Sequence, residues 1–245
     1  MVNIKQELEV AKKASEVAAT LLIDNKNNIN KILSNEGRDV KLKADLESEK
    51  VIKEYLLANS NFPILAEESG ANQDLGNSFW VVDPLDGTSN YSRDFPMCCI
   101  SIALIYEKEI TLGVIYDFNR GSLYEGSIDS KAKLNGADIF VSSIYDKSKA
   151  TLATGLPAKG NFDLESISEL SNELVSWKKV RMIGSAAMAS CYVASGKADL
   201  YQENGIYLWD ILAGAAIVES AGGKAVIKNI KEDFQVDVIF SNSKI

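Results

Sequence analysis

Histidine is absent from this 245-residue chain, cysteine occurs three times and proline four times. The missing histidine removes the commonest general base and the usual nitrogen ligand of zinc. No Cys-x-x-Cys pair exists, so neither a zinc site nor a dithiol redox site has a framework. Cys98, Cys99 and Cys191 stand among apolar and small neighbours. An odd number so placed reads as buried free thiols in a reducing compartment, which predicts a cytoplasmic protein. No apolar run approaches the roughly 18–20 residues of a membrane span, and the opening Met1-Val2-Asn3-Ile4-Lys5-Gln6-Glu7 lacks the apolar core of a signal peptide. Positive charge is also short, the formal net charge being −8. That argues against a surface that coats nucleic acid. An anionic small substrate stays open, because bound cations reverse the sign of a local field.

What is present is an ordinary globular composition, 46% hydrophobic and 24% charged, enough for one large α/β domain or two closely joined ones. Apolar and alanine positions recur at helical spacing through residues 2–24, with Ile4, Leu8, Ala11, Ala14, Ala18, Leu21 and Leu22 on one face. Asn25 to Asn30 reads as a turn and Asn35-Glu36-Gly37-Arg38-Asp39 as a charged loop. Asp45 caps or opens a second helix through about Ala58. The period then shortens. Residues 62–66, 78–83, 98–106, 112–118 and 122–126 read as strands with no helix between them, which predicts an antiparallel or mixed sheet. Beyond Ser142 strands (150–154, 179–183, 198–202, 224–228, 235–241) alternate with helices (163–175, 186–195, 209–221). An N-terminal α+β half, residues 1–142, and a C-terminal α/β half, residues 143–245, are expected to share one interface.

The strongest chemical signal is Trp80-Val81-Val82-Asp83-Pro84-Leu85-Asp86-Gly87-Thr88-Ser89-Asn90. Taken alone, Asp-Pro-x-Asp-Gly after a strand is an ordinary turn. Here an apolar run drives into two carboxylates, and unpaired anions at a core edge are costly unless something positive holds them. A Gly-Thr turn that opens a helix adds free backbone N–H groups, so a cation and a phosphate can lie side by side. Glu67-Glu68 ends another apolar run and Asp210 opens the small-residue run 211–218. Glu67 is the better placed of the adjacent pair, Asp210 is compatible with both a helix cap and a ligand, and Leu85 can contribute only its carbonyl. All these donors are oxygen, which favours Mg²⁺, with Mn²⁺ or Ca²⁺ behind it. Gly184-Ser185-Ala186 is either a tight turn or a donor of N–H and hydroxyl groups to a polyol or phosphate. Glu203 by itself reads as a loop acid.

Together Glu67-Glu68-Ser69, Asp83-Pro84-Leu85-Asp86-Gly87-Thr88-Ser89-Asn90, Trp209-Asp210, Gly214-Ala215 and Ala221-Gly222-Gly223 resemble the inositol monophosphatase family of Mg²⁺-dependent, Li⁺-sensitive phosphatases, over nearly the whole chain. The resemblance implies a layered αβαβα sandwich, of the inositol monophosphatase and fructose-1,6-bisphosphatase type. It implies that Glu67, Asp83, the Leu85 carbonyl, Asp86 and Asp210 bind two or three Mg²⁺ ions. Thr88, helped by Asp45 or Glu67, would position the attacking water, and the N–H groups of Gly87 and Thr88 would cradle phosphate. Asn90 is similar to the inositol monophosphatase branch, whereas the bisphosphate nucleotidase branch typically has Lys-Glu there. Glu203 and Gly184-Ser185-Ala186 match the segments that contact inositol hydroxyls, with Asp86 and Asp210 also facing substrate.

The implied reaction is hydrolysis of inositol 1-phosphate or a related small sugar phosphate by water that the metal activates. Fructose 1,6-bisphosphate and a 3′(2′),5′-bisphosphate nucleotide are the alternatives inside the family. A non-catalytic metal- or phosphate-binding regulator is the alternative outside it. A homodimer is implied as well. Two stretches depart from the family's pattern: residues 37–45 lack the threonine usual before the first Asp, and Ser130-Lys131-Ala132-Lys133 replace a glycine-rich stretch.

Overall fold

The computed structural model describes residues 2–36, 39–156 and 163–245. Helix α1 (Ile4–Asp24) is followed by the single turn α2 (Lys26–Ile29), strands β1 (Ile32–Glu36) and β2 (Asp39–Leu42), and α3 (Lys43–Asn59). Strands β3 (Ile64–Ala66), β4 (Gly70–Ala71) and β5 (Phe79–Asp86) lead into the short helix α4 (Thr88–Ser92). Next come β6 (Cys99–Tyr106), β7 (Glu109–Asp117), β8 (Ser122–Ser127), β9 (Ser130–Leu134) and β10 (Ala137–Asp138). The remainder alternates: β11 (Thr151–Thr154), α5 (Leu164–Val175), β12 (Lys179–Met182), α6 (Ala186–Ala194), β13 (Leu200–Tyr207), α7 (Leu208–Ser220), β14 (Lys224–Lys228) and β15 (Gln235–Ser241).

Two larger sheets organise these elements. Eight strands lie in the order β10-β9-β8-β7-β6-β5-β3-β4, antiparallel except where β3 pairs parallel with β5. Five strands lie in the order β12-β11-β13-β15-β14. Helices α1 and α3 cover one face of the large sheet, while α6 and α7 fill the space between the two sheets. Helix α5 adds Leu174 to a small outer cluster with Leu152, Trp177 and Leu200. The stack is therefore α-β-α-β-α, as the family resemblance implies.

The sequence accounts for the layering. Helix α1 buries Val10, Ala11, Ala14, Ala18, Ala19 and Leu22, one stripe whose alanines let the helix lie close to the sheet. Helix α7 buries every residue from Ile211 to Val218, because a helix apolar all round must be covered on both sides. The expected strands and helices are found with shifts of a few residues at their ends. Three segments differ. Residues 32–36 and 39–42 pair as an antiparallel hairpin where a charged loop was expected over residues 35–39; Gly37 and Arg38 of that loop lie outside the described residues. Residues 130–134 and 137–138 add two strands, β9 and β10, at one end of the large sheet. Strand β5 runs on past Asp83 to Asp86. No helix among the described residues is long and apolar enough to cross a membrane.

Candidate active site

Asp83 and Asp86 are three residues apart, an odd spacing that in a regular strand sends side chains to opposite faces. The register against β6 shifts between them, Asp83 lying opposite Ser101 and Asp86 opposite Cys99. This bulge absorbs one extra residue and returns both carboxylates to the same cavity. Pro84 suits the bulge because it has no N–H to offer the ladder. Its carbonyl accepts the Ser48 hydroxyl at 2.8 Å, tying the bulge to α3. The Leu85 N–H donates back to Asp83 Oδ1 at 2.9 Å. Gly87 then turns the chain at φ 87°, where a Cβ would meet the Met97 carbonyl oxygen at 2.7 Å.

The other acids arrive from separate elements. Glu67 follows β3, its N–H donating to the Val82 carbonyl at 3.1 Å. Asp45 and Asp210 each occupy the third position of a helix, α3 and α7, so each opens its helix from the first turn rather than from the cap, the other position the sequence allowed. Asp45 Oδ2 accepts the Leu42 N–H at 2.5 Å and Asp210 Oδ2 accepts the Tyr207 N–H at 2.9 Å. An acid in the first helical turn reaches back to the cap residue's amide and complements the dipole. Leu42 itself carries no side-chain acceptor, so this helix starts without a capping hydroxyl.

All of these acids but Asp45, which lies behind Thr88, line one cavity of about 440 Å³. Glu67, Asp83, Asp86 and Asp210 stand with the Gly87–Thr88 turn, and Gly184, Ser185, Ala186 and Glu203 complete the far wall. Glu68 does not join them: it pairs with Lys41 of β2, and its N–H donates to Glu49 Oε2 at 2.8 Å. Thr88 Oγ1 lies 3.0 Å from both Asp45 Oδ1 and the Leu85 carbonyl, so one of these two acceptors takes its one proton. The Ser185 hydroxyl is engaged by the fold: it donates to Asp86 Oδ2 and accepts the Met188 N–H at 3.1 Å. Only the backbone of Gly184-Ser185-Ala186 remains for a ligand. Asp86 also accepts the Ala187 N–H at 2.7 Å, which anchors the start of α6 on the bulge. The Asn90 amide donates to the Met97 carbonyl at 2.8 Å and the Ile183 carbonyl at 2.9 Å, tying the Gly184 turn to the large sheet.

Burial dominates the electrostatics. It pushes the Asp45 carboxyl up to about 7 and Asp86 up to about 6. Glu67 and Asp83 rise well above the usual carboxylate range, first through burial, then through repulsion from Asp210 and from Glu67 respectively. None of the described residues lining the cavity is Lys or Arg. A cavity walled by carboxylates without a protein cation attracts a phosphate only if positive charge comes from elsewhere. The donors are all hard oxygens, which fits Mg²⁺. Among the described residues no three acidic or cysteine side chains already form a cage, since these oxygens are turned toward backbone amides and one another.

The sequence reading missed part of the wall. Gly155, Leu156, Met182, Ile183 and Ile206 also line the cavity, and nothing local marks them, because Thr154-Gly155-Leu156-Pro157 after a strand reads as a turn.

The sequence model of the Inositol monophosphatase family matches residues 3–238. The chain belongs to this family. A relative from Xylella fastidiosa named Nus factor SuhB is 37% identical, over 89% of this chain and 81% of its own length. The inositol-1-monophosphatase of Synechocystis is 36% identical, over 76% of this chain and 66% of its own. The solved structure of inositol monophosphatase from Anabaena superposes with a TM-score of 0.84 at 30% identity, covering 100% of this chain and 93% of that one. The stretch Ser130-Lys131-Ala132-Lys133 lies in strand β9, with Ala132 buried and Lys131 exposed.

Proposed function

We propose that this member of the inositol monophosphatase family is a Mg²⁺-dependent phosphomonoesterase acting on inositol 1-phosphate or a closely related small polyol phosphate. The observation that carries the reading is the cavity itself: among the described residues, four carboxylates and no Lys or Arg on one side, with Glu203 on the other. Glu67, Asp83, Asp86, Asp210 and the Leu85 carbonyl would hold two or three ions, with Mn²⁺ an acceptable substitute. When bound, the ions supply the positive charge that neutralises phosphoryl and leaving oxygens and acidify the attacking water.

The protein's own groups do the rest. Thr88, its proton held by Asp45 or Leu85, offers a lone pair that orients the water in line with phosphorus. The backbone N–H groups of Gly87 and Thr88 cradle the phosphate. Glu203 and the backbone at Gly184 face the polyol hydroxyls. In this reading residues 1–142 carry most of the metal ligands and residues 143–245 the substrate contacts and Asp210. It also includes Li⁺ sensitivity, a homodimer and residence in the cytoplasm.

Phosphate release from a panel of inositol 1-phosphate, fructose 1,6-bisphosphate and a 3′,5′-bisphosphate nucleotide, with and without Mg²⁺, tests the proposal. Inositol 1-phosphate should be turned over best. Absence of turnover on every substrate would remove the enzyme reading, and preference for a bisphosphate would remove the polyol assignment. A second reading, a regulatory protein that keeps the site for binding, is supported by the relative named Nus factor SuhB. A pure binder has no use for a water-orienting hydroxyl. Thr88→Val is therefore expected to lower kcat about 10²- to 10³-fold, with Mg²⁺ binding by calorimetry retained and Thr88→Ser largely active. Equal loss in Thr88→Ser would assign the effect to packing.

A further inference from the structure

Beside Glu203 the chain carries a glycine that no backbone requirement explains. Gly155 follows β11, whose register beside β13 pairs Ala153 with Tyr201 and Thr154 with Gln202, so Gly155 falls next to Glu203. Its φ is not positive, and any residue could adopt it. Space is what excludes a side chain. A Cβ at position 155 would stand 2.3 Å from Glu203 Oε2, 2.4 Å from Oε1 and 2.5 Å from Cδ. Contacts under 3 Å force something to move, and here all three belong to one carboxyl group on the cavity wall.

The same carboxyl is held from behind. The Tyr201 hydroxyl donates to Glu203 Oε2 at 3.0 Å. Tyr201 is buried, and its ring meets Phe240 edge-on at 6.1 Å, so the hydroxyl is a fixed point rather than a swinging one. Residues i and i+2 of a strand share a face, which lets Tyr201 reach Glu203 directly. The Thr154 hydroxyl donates to the Gln202 carbonyl at 2.8 Å and locks the two strands in register.

We propose that Gly155 and Tyr201 are positioning residues that seat the Glu203 carboxylate for vicinal hydroxyls, making residue 155 a determinant of polyol over simple phosphate ester. This rests on the polyol reading of Glu203 given above. A carboxylate laid against a bare glycine, with Oε2 held by the Tyr201 hydroxyl, keeps one orientation on the cavity wall. Two adjacent hydroxyls can donate to a carboxylate so oriented, and a substrate without them forgoes those bonds.

The test compares inositol 1-phosphate with p-nitrophenyl phosphate, which has no vicinal hydroxyls, under saturating Mg²⁺. Gly155→Ala should raise KM for inositol 1-phosphate about tenfold with kcat within about twofold, so that selectivity over the aryl ester falls about tenfold. Tyr201→Phe should lower the same ratio without adding volume, and decides the matter if Gly155→Ala fails to fold. The double variant Gly155→Ala/Glu203→Asp, whose carboxyl is one methylene shorter and clears the new methyl, should recover selectivity relative to Gly155→Ala. Unchanged selectivity in folded Gly155→Ala and Tyr201→Phe would overturn the inference and leave the polyol reading standing. A parent protein that shows no preference for inositol 1-phosphate over the aryl ester would overturn both.

Discussion

Asp210→Asn is expected to abolish Mg²⁺-dependent phosphate release while the protein stays folded and, without metal, melts no lower than the parent. The Asn side-chain oxygen can still accept the Tyr207 N–H that Asp210 accepts at 2.9 Å, and Asn and Asp serve helix starts comparably. What disappears is one negative charge from a group that repels Glu67 and Asp83. The metal-free fold is relieved, and the metal-bound state loses a ligand. A loss of about 4 kcal/mol in transition-state stabilisation corresponds to about 10³-fold in rate. Asp83→Asn should behave alike, since its oxygen can still accept the Leu85 N–H. Melting and Mg²⁺-dependent turnover measured on the same preparations separate the roles. Near-normal turnover at low Mg²⁺ would reduce Asp210 to a helix-start residue.

The second large effect is on pH dependence. Asp45 and Asp86 have carboxyls raised to about 7 and about 6, and Glu67 and Asp83 are raised as well, burial coming first in every case. The folded state therefore binds more protons than the unfolded chain, and stability falls with rising pH. The contribution is fully present below about pH 4, the unfolded carboxylate range, and is lost as pH climbs through 6 and 7. Metal-free protein should accordingly melt at least about 5 °C lower at pH 8 than at pH 5. Mg²⁺ stabilises the charged forms, so its melting shift should be larger at pH 8 than at pH 6. Asp83→Asn should flatten the metal-free profile. An unchanged slope in that variant would place the cause in the overall negative charge instead.

The layers were legible because their signals are local. The alanine stripe of α1, the apolar runs of β3 and β5 and the small-residue helix α7 each announce their burial by periodicity. Hairpin β1–β2 was not legible, because its strands are short and mostly polar, and what holds them, the packing of Val40 and Leu42 on the core and the Lys41–Glu68 contact, comes from distant segments. Strand β9, next to the short edge strand β10, was hidden by its lysines, which suit a sheet rim. In the site, the acids were visible as residue types but their geometry was not. Pro84 looks like the end of a strand, and only the register with β6 shows the bulge that puts Asp83 and Asp86 on one side. The engagement of Ser185 depends on Asp86, far away in sequence, and the fit of Gly155 depends on Glu203. No local pattern encodes either.

The helix pair between the sheets has a consequence for how the chain comes into being. The large sheet is complete once Asp138 has been made, yet α7, which covers its inner face, does not begin until Leu208. At about 5–20 residues per second the gap lasts several seconds on the ribosome. Through that interval Val81, Ala103 and Ile115, which end up inside the central cluster, lack the helix that supplies most of their cover. Nascent protein halted between Asp138 and Leu208 should therefore be the form that captures chaperones or aggregates, and release should coincide with the emergence of α7.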